Sequence, residues 1–369
     1  MKWSPQQDSG LSGVETWFKS HKKKQIFRLF GHAGTGKTTL AKHFASFIDG
    51  TVLFAAYTGK AALQLRKAGC ENACTIHSLI YIAEEQPDGS AKFILNKNSP
   101  LKKAALLIVD ECSMVDDKLA ADIMKFGKPI LVLGDPAQLP PIDGAGYFTN
   151  SEPDIMLTEI HRQALDNPII YLATLVREGN ALKVGDYGES SVLPKGKLSR
   201  AQVFESDQII SGRNATRTGL NTKARTYFEY EGLYPNIGEK LICLRNDKEL
   251  SIFNGGMFRV LGYTNNESIV KPIAGKIMMR VQSEDDHIYP IQVKVRHELF
   301  NPDLPKPDFK LLKETQEFDF GYAITCHKSQ GSQWGNTVIY DESWCFREQR
   351  INWLYTAITR AQDYTKVLV

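Results

Sequence analysis

Short apolar runs alternate with helical segments over roughly the first 165 residues of the chain. The runs are rich in Val, Ile, Leu or Phe and cover residues 26–30, 51–56, 105–109 and 130–133. After the first run, Leu40, Phe44 and Phe47 recur at a spacing that places them on one face of a helix over 39–48. Strands and helices that alternate in this way predict parallel βαβ units, in which ligands bind at the carboxyl ends of the strands.

Two changes of pattern follow. Residues 82–104 contain turn-forming residues and then a short β-like run, which predicts a small hairpin insertion. A second α/β segment begins near 166, and between about 240 and 315 the chain changes to short β-like runs, which predict an inserted β-barrel. The β-like runs of this half cover 207–211, 240–244, 257–261, 277–281 and 288–295. The α/β texture resumes at Phe318.

Composition places the chain among globular proteins and excludes a membrane-spanning class. The 369 residues are 42% hydrophobic and 24% charged, which suits two or three domains. A net charge of +3 permits nucleic-acid binding without arguing for it. No apolar run approaches the ~18 residues of a membrane span. The six cysteines form no C-x-x-C pair and indicate a reducing cytoplasm, and Cys70, Cys74 and His77 lack the fourth ligand of a zinc site.

Residues Gly31–Thr38 read G-H-A-G-T-G-K-T, a full match to the phosphate-loop pattern G-x-x-x-x-G-K-[ST]. An apolar run precedes them and a helical segment follows, which is the strand–loop–helix context that the motif requires. The glycines let backbone N–H groups surround a phosphate chain, Lys37 reaches the β- and γ-phosphates, and the Thr38 hydroxyl can ligate Mg²⁺. A Gly-rich turn with a surface lysine would leave this context unexplained, so we expect a bound nucleoside triphosphate.

Polar groups suited to phosphate chemistry follow the later runs. Asp110 would hold Mg²⁺, and Glu111 directly after it would polarise an attacking water. Gln138 carries a donor and an acceptor that could report the γ-phosphate. Arg162 and, much later, Arg360 have planar forks that match phosphate oxygens. The adjacent glutamate favours hydrolysis over transfer to a bound acceptor, which argues against a phosphate-loop kinase.

In this order, the segments resemble the motifs of superfamily 1 helicases, in particular the RecD-like branch, superfamily 1B, and within it the short phage helicases of the Dda type. The resemblance extends from Gln7 to Arg360. The similar segments are Trp3–Gln7 (Q motif), Gly31–Thr38 (motif I), Ala56–Ala62 (motif Ia), Thr75–Leu79 (the T-I-H-S-L element), Asp110-Glu111 (motif II), Gly134–Pro141 (motif III), Arg162 (motif IV), Thr325–Gly331 (motif V) and Tyr355–Arg360 (motif VI). Motifs III, V and VI together are far more specific than the phosphate loop alone.

The resemblance implies an α/β fold of two RecA-like P-loop NTPase domains, with a β-hairpin insertion (1B) and an SH3-like β-barrel insertion (2B). The expected boundaries are 1–165 for domain 1A with the hairpin at about 82–104, 166–239 with 316–369 for domain 2A, and 240–315 for domain 2B. ATP and Mg²⁺ would be the cofactors. The expected ATP contacts are Gln7, which would read the adenine edge, and Gly34, Thr35, Gly36, Lys37, Thr38, Thr39 and Gly331. The expected catalytic residues are Lys37, Asp110, Glu111, Gln138, Arg162 and Arg360.

The same resemblance implies that single-stranded DNA lies across both domains and is traversed 5′ to 3′ as the ATP cleft closes and opens. The candidate DNA contacts are Thr58, Lys60, Thr75, His77, Phe93, Thr325, His327, Lys328 and Ser329. Each has a plain alternative, because Ser and Thr are common and His77 could simply cap a helix. Phe93, in the hairpin insertion, would be an aromatic wedge that splits the duplex, or else a core residue of that hairpin.

We expect the partners to be single-stranded DNA and its junctions with duplex, together with replication or recombination proteins, and no membrane. The lack of nuclease or relaxase motifs leads us to expect a compact, monomeric motor, encoded by a phage or mobile element and acting in a bacterial cytoplasm. Two alternatives stay open. One is an RNA-directed helicase of the Upf type, and the other is an ATPase subunit of a recombination or nuclease complex that does not unwind DNA alone.

Overall fold

A computed structural model describes residues 3–20, 23–85, 91–141, 146–159, 167–247, 249–263, 272–285 and 289–369. Its strands are β1 (Ile26–Gly31), β2 (Val52–Ala56), β3 (Cys74–Thr75), β4 (Tyr81–Glu85), β5 (Ala91–Leu95), β6 (Leu106–Asp110), β7 (Ile130–Gly134), β8 (Ile155–Leu157), β9 (Gly185–Tyr187), β10 (Ser190–Leu193), β11 (Gln208–Ser211), β12 (Lys240–Cys243), β13 (Met257–Tyr263), β14 (Lys276–Ser283), β15 (Ile291–Arg296), β16 (Phe318–Phe320), β17 (Ala323–Thr325), β18 (Trp334–Tyr340) and β19 (Ala361–Leu368).

The α-helices of the described residues are α1 (Pro5–Lys19), α2 (Lys37–Ala45), α3 (Gly59–Lys67), α4 (Ile76–Ile80), α5 (Asp117–Met124), α6 (Pro168–Arg177), α7 (Arg200–Phe204), α8 (Asn214–Tyr227), α9 (Phe309–Leu312), α10 (Cys326–Ser329) and α11 (Arg350–Ile358). None of these helices combines the length and the apolar character that a bilayer crossing requires.

The first sheet has six strands in the order β3-β2-β6-β7-β1-β8, and every neighbouring pair is parallel. It contains all four strands predicted for the first part of the chain. Alternate residues of β6 enter different cores: Leu106 and Ile108 pack on one face, and Leu107 and Val109 on the other. Because both faces are covered, the strands read as continuous apolar runs, as parallel strands do. We call this sheet and its helices the first unit.

The second sheet has the order β17-β11-β18-β19-β10-β9 and is parallel except for the antiparallel pair β9 and β10. It contains the strand predicted at 207–211. Trp353 of α11 is fully buried in a core that this sheet shares with α6. Leu139, from the loop after β7, is fully buried in the same core. The second unit, as we call this sheet and its helices, therefore packs directly on the first.

A third sheet, antiparallel, has the order β15-β14-β13-β12-β16. It contains the predicted strands of the 240–315 region and a core of its own that includes Phe258 and Phe318. Its last strand, β16, pairs with β12 across Leu241 and Phe320. The expected boundary at residue 315 therefore falls before the last strand of this sheet, which we call the β-insertion.

The predicted hairpin is present as the antiparallel pair β4 and β5, in register from Tyr81 opposite Leu95 to Glu85 opposite Ala91.

The helix after the phosphate loop ends earlier than the helix predicted over 39–48. Helix α2 ends at Ala45, and Phe47 lies beyond it with 70% of its surface exposed. Phe47 instead sets its ring against His43, with the ring centroids 4.9 Å apart.

Candidate nucleotide and nucleic-acid sites

The phosphate loop joins β1 to α2. Gly34 and Gly36 have φ angles of 79° and 78°, in the left-handed region where a side chain would be strained. These turns allow α2 to begin at Lys37, so its first N–H groups point into the loop. Thr38 and the exposed Thr39 lie in the first turn of this helix. The predicted phosphate contacts therefore surround one concave turn of backbone.

Gln7 supports this loop from α1. Its side-chain amide donates to the carbonyl oxygen of Thr35 at 3.1 Å, and its Oε1 accepts from the N–H of Ser4 at 3.0 Å. Gln7 and Thr35 are 3% and 1% exposed. The Thr35 hydroxyl also turns inward and donates to the carbonyl of His32 at 2.9 Å. In this structure the Gln7 side chain is hydrogen-bonded to the backbone of the phosphate loop and of Ser4. To bind the adenine edge, it would have to break these hydrogen bonds.

The side chains expected to hold Mg²⁺ meet. The Thr38 hydroxyl donates to Oδ2 of Asp110 at 2.8 Å, and Oδ1 of Asp110 accepts from the N–H of Glu111 at 2.8 Å. A hydroxyl and a carboxylate are the hard oxygen ligands that Mg²⁺ prefers, so the donor set fits this ion. The Lys37 ammonium donates to the carbonyl of Gly31 at 2.7 Å and lies at the mouth of the same loop.

Glu111 occupies an unusual backbone conformation, with φ 52° and ψ 48°. A non-glycine residue in this region is strained, and such strain clusters at functional sites. Burial raises the pKa of the Glu111 carboxyl, and the charges of Arg360 and Lys37 oppose that rise. A carboxylate with a raised pKa is a better acceptor for a proton from water near neutral pH. The charge of Arg360, from the second unit, thus acts on the Glu111 carboxyl of the first unit.

Arg360 is 3% exposed and its guanidinium is held by atoms of its own unit. It donates to the carbonyl of Thr356 at 2.9 Å, to that of Ser332 at 3.4 Å and to the hydroxyl of Thr359 at 3.0 Å. These bonds fix the arginine to the second unit. Arg162, the other predicted arginine, lies outside the described residues.

Gln138 lies in the loop that follows β7 and is 8% exposed. Its Oε1 is buried and has no hydrogen-bond partner among the residues that the structure describes. Buried amide oxygens normally have a partner, so this one is suited to a group that enters the cleft. The sequence predicted such a role for Gln138 at the γ-phosphate.

A second cleft, of about 1280 Å³, lies between the two units and the β-insertion. All the candidate DNA contacts except Ser329 line it. Those from the first unit are Thr58, Lys60, Thr75, His77 and Phe93, and those from the second are Thr325, His327 and Lys328. Residues separated by more than 200 positions thus converge on one groove, as a strand that crosses both units would require.

Ser329 and Lys60 differ from the prediction in their surroundings. Ser329 is fully buried, and its hydroxyl donates to the carbonyl of Cys326 at 2.7 Å, so it faces the protein interior. Lys60 is 3% exposed, its ammonium lies 2.9 Å from Asp285 of the β-insertion, and it sits 4.6 Å from the ring centroid of Trp334. A phosphate contact would require Asp285 to release this lysine.

Gly331, predicted as an ATP contact, lies against α3. Its φ is 73°, and a Cβ built on it would stand 2.8 Å from the Thr58 hydroxyl and 3.0 Å from the Cβ of Ala61. Only glycine suits both the conformation and this approach. Gly331 therefore allows motif V of the second unit to touch the N-terminus of α3, next to the DNA-contact candidates.

An aromatic row that the sequence did not single out runs along the first unit's side of the groove. The ring centroids of Tyr57 and His77 are 5.8 Å apart, those of His77 and Tyr81 5.7 Å, and those of Tyr81 and Phe93 6.3 Å. Phe93 ends the row and is 62% exposed, which argues against its being a hairpin core residue. Exposed aromatic faces can stack on unpaired bases. Tyr57 lies in motif Ia and Tyr81 follows the T-I-H-S-L element, but neither was among the candidate DNA contacts.

Burial lowers the pKa of three basic side chains in this groove, His77, His327 and Lys328. For Lys328, the charge of Arg217 lowers the pKa further. The two imidazoles are therefore neutral at pH 7 and can serve as hydrogen-bond partners or stacking surfaces. The Lys328 ammonium donates to the Asn254 side chain at 3.1 Å, which links the second unit to the turn at Asn254-Gly255 in the β-insertion.

We expect Asp285→Ala to lower the free energy of unfolding by roughly 3 kcal/mol, because it leaves the Lys60 ammonium buried without its carboxylate. Thermal unfolding followed by circular dichroism would show the lower Tm. Glu314→Ala is the control, since its ion pair with Lys276 at 3.0 Å is exposed and should contribute nothing measurable. An unchanged Tm for Asp285→Ala would show that the buried pair does not hold the β-insertion on α3.

A phosphate loop on one parallel sheet, in contact with Tyr355 of a unit built on a second, largely parallel sheet, is typical of a two-domain P-loop NTPase. A family described as "AAA domain" matches residues 15–197, and one described as "UvrD-like helicase C-terminal domain" matches residues 320–367. Together with the relatives below, these matches fit a superfamily 1B helicase.

The relatives are longer proteins. The ATP-dependent RecD2 DNA helicase of Deinococcus radiodurans is 30% identical over 366 residues, covering 91% of this chain and 46% of RecD2. The ATP-dependent DNA helicase dda of Enterobacteria phage T4 is 33% identical over 172 residues, covering 42% of this chain and 39% of dda. The matched segments thus span less than half the length of each of these two relatives.

Solved Pif1 helicase structures share the fold. Two Pif1 helicases at forked double-stranded DNA give a TM-score of 0.62 at 18% identity, covering 99% of this chain and 92% of that chain. Pif1 of Candida albicans gives 0.57 at 17% identity, covering 100% and 94%. At these identities the likeness shows the fold alone, a Pif1-like helicase fold of α/β sheets and P-loop domains.

Proposed function

We propose that this chain is an ATP-dependent DNA helicase that moves 5′ to 3′ along single-stranded DNA. The observation that carries the proposal is the pair of clefts. The phosphate loop of the first unit contacts the second unit, where the N–H of Ala33 donates to the Tyr355 hydroxyl at 3.0 Å, and the groove lined by the DNA-contact candidates lies between the same two units. A change in the distance between the units would alter both clefts together. The polarity rests on the resemblance to superfamily 1B.

In the ATP cleft, Lys37 would neutralise the β- and γ-phosphates, and Thr38 with Asp110 would hold Mg²⁺. This ion, when bound, supplies charge neutralisation of the phosphates. Glu111 would accept the proton of the attacking water, and Gln138 would orient that water or the γ-phosphate. Arg360 would approach the phosphates as the second unit closes, because its hydrogen bonds tie it to that unit.

We further propose that the three sheets correspond to domains 1A (1–165), 2A (166–239 with 321–369) and 2B, whose expected end at 315 moves to 320 so that it includes β16. The β4–β5 hairpin would be the 1B insertion, and the β-insertion would be the SH3-like 2B domain. Its five antiparallel strands and separate core support this assignment. Single-stranded DNA and its junctions with duplex would be the partners, in a monomeric motor.

The test combines two measurements on the isolated chain. ATP hydrolysis is measured with and without single-stranded DNA, and unwinding is measured on duplexes with a 5′ or a 3′ tail. Stimulated hydrolysis with unwinding of the 5′-tailed duplex alone is the expected result. Stimulation without unwinding would favour an ATPase subunit that needs a partner, and stimulation by RNA alone would favour the Upf-type alternative. Unwinding from the 3′ tail would reverse the proposed polarity.

We expect Phe93→Ala to lower the rate of duplex unwinding about ten-fold, because a wedge that offsets even part of the unstacking energy acts on the strand-separation step. DNA-stimulated ATP hydrolysis should fall less. Ile82→Ala is the matched control, since Ile82 pairs with Ile94 on the other face of the hairpin and is 47% exposed. Equal loss of unwinding and hydrolysis would make Phe93 a structural residue.

A further inference from the structure

Helix α11 of the second unit holds the loop that follows β7 of the first unit. Asn352 and Thr356 lie one turn apart on the helix face that meets this loop. The Asn352 amide donates to the carbonyl of Ala137 at 3.1 Å, and the Thr356 hydroxyl accepts from the N–H of Leu139 at 2.7 Å. The loop that carries Gln138 is thus fixed to the second unit by its backbone, so it moves with that unit.

Tyr355, on the same face of α11, reaches farther. Its hydroxyl donates to Oδ2 of Asp135 at 2.6 Å and accepts from the N–H of Ala33, in the phosphate loop, at 3.0 Å. Tyr355 is 1% exposed. One hydroxyl of the second unit therefore bridges the phosphate loop and the loop after β7, which are separate segments of the first unit.

Asp135 is anionic in this position. Burial would raise its pKa, but the hydrogen bond with His32, the charge of Lys37 and the Tyr355 hydroxyl together hold the pKa below its usual value. Its Oδ1 lies 3.5 Å from Nδ1 of His32 and accepts from the N–H of Ala137 at 3.0 Å. A hydrogen bond to a buried charge is stronger than one between neutral groups. The Tyr355–Asp135 bond is therefore a firm link between the units.

Trp353, on another side of α11, contacts the segment that carries the groove residues. The Cys326 thiol, next to Thr325 and His327, lies 3.5 Å from the carbonyl of Trp353. The Phe346 ring stacks on Trp353 with centroids 5.6 Å apart and lies 5.7 Å from the ring of His327. A strand held at Thr325 and His327 would thus press on the helix that carries Tyr355.

A second link joins the groove to the loop after β7 without passing through Tyr355. The Gln330 amide, at the end of the same DNA-contact segment, donates to the carbonyl of Leu139 at 2.6 Å. Both links run from residues 325–330 to the ATP cleft. Of the two, only the one through Tyr355 includes a hydrogen bond to the phosphate loop itself among the contacts of the described residues.

We propose that Tyr355 is a positioning residue whose hydroxyl makes ATP hydrolysis depend on DNA in the groove. DNA at residues 325–330 fixes α11, and the Tyr355 hydroxyl then holds Ala33 and Asp135 where the phosphate loop and Gln138 act together. This inference rests on the proposed function, since it concerns the stimulation of hydrolysis by single-stranded DNA. It assigns that coupling to one oxygen atom.

Tyr355→Phe removes that oxygen and keeps the ring in the interface. The measurement is ATP turnover with and without single-stranded DNA, together with DNA affinity by fluorescence anisotropy and Tm. We expect the ratio of stimulated to unstimulated turnover to fall about ten-fold, because the variant loses one hydrogen bond to a charged group. The affinity for DNA should stay within about two-fold, because the hydroxyl lies outside the groove.

Tyr322→Phe is the matched control. The Tyr322 hydroxyl is also buried, lies 3.4 Å from the Glu239 carboxylate and 3.5 Å from the N–H of Lys240, and is not among the residues that line the groove. It should keep the full stimulation ratio. If Tyr322→Phe lost the ratio equally, or if Tyr355→Phe kept it, the inference would be overturned while the proposed function stood. If the unaltered chain showed no stimulation by DNA, the proposed function would fail and the inference with it.

Discussion

Lys37→Ala is expected to lower ATP turnover by at least roughly 10²–10³-fold while the protein remains folded. The Lys37 ammonium lies at the mouth of the phosphate loop, where it donates to the carbonyls of Gly31 at 2.7 Å and His32 at 3.0 Å. Carbonyls near a phosphate site are weak partners for an ammonium compared with phosphate oxygens, so the lysine would move to the triphosphate. Without it, the charge that develops on the γ-phosphate lacks its nearest cation.

The control for this change lies on the same helix. Lys42 also donates to a backbone carbonyl, that of Ala68 at 2.7 Å, but it is exposed and points away from the loop. Lys42→Ala should keep turnover, measured by phosphate release, and both variants should keep the Tm of the unaltered chain. Retained turnover in Lys37→Ala would remove the phosphate-loop assignment, and with it the proposed ATP cleft.

The sequence predicted the parallel strands well because their signal is local. Each predicted strand of the first sheet is a continuous apolar run that ends at a polar motif, and burial on both faces requires that pattern. The same locality explains the hairpin β4–β5 and the strands of the β-insertion. It also explains the error at Phe47, because helical spacing does not reveal where a helix ends, and α2 ends at Ala45.

The motifs predicted which residues gather at each cleft, since each motif follows a strand and the carboxyl ends of parallel strands share one edge. They could not predict what each side chain contacts. Lys60 and Ser329 both belong to motifs, yet one is buried against Asp285 and the other against the backbone of α10. These partners lie in the β-insertion or within the same turn, and neither arrangement leaves a periodic signal in the sequence.

The contacts between the units were the least accessible to sequence reasoning. Tyr355 lies in motif VI, but its partners Ala33 and Asp135 are 322 and 220 positions away. The neighbouring sequence does not show what the hydroxyl of a tyrosine in an apolar helix contacts. From the sequence alone, Tyr355 would be assigned to the core together with Trp353. Only the fold brings α11 onto the loop after β7.

Arg360→Ala is expected to retain nucleotide binding and lose turnover by roughly 10³-fold, the contribution of an arginine that stabilises the transferring phosphoryl group. Fluorescent-nucleotide affinity and phosphate release measure the two effects separately. The guanidinium is 3% exposed and donates hydrogen bonds to the carbonyls of Thr356 and Ser332. Its removal should therefore also lower the stability of the fold. Arg360→Lys reduces that cost and should still lose most of the turnover, because an ammonium cannot replace the planar fork.

Arg225→Lys separates the structural from the chemical contribution of a buried arginine. Arg225 donates to the Glu239 carboxylate at 2.9 Å and to the carbonyl of Tyr234 at 2.9 Å, and it does not line the groove. Its substitution should lower the Tm and leave turnover per folded molecule unchanged. If Arg360→Lys behaves like Arg225→Lys, or if Arg360→Ala abolishes nucleotide binding, Arg360 supports the cleft and does not act on the phosphate. A loss confined to turnover would instead place the arginine's effect at the γ-phosphate, reached when the second unit closes on the first.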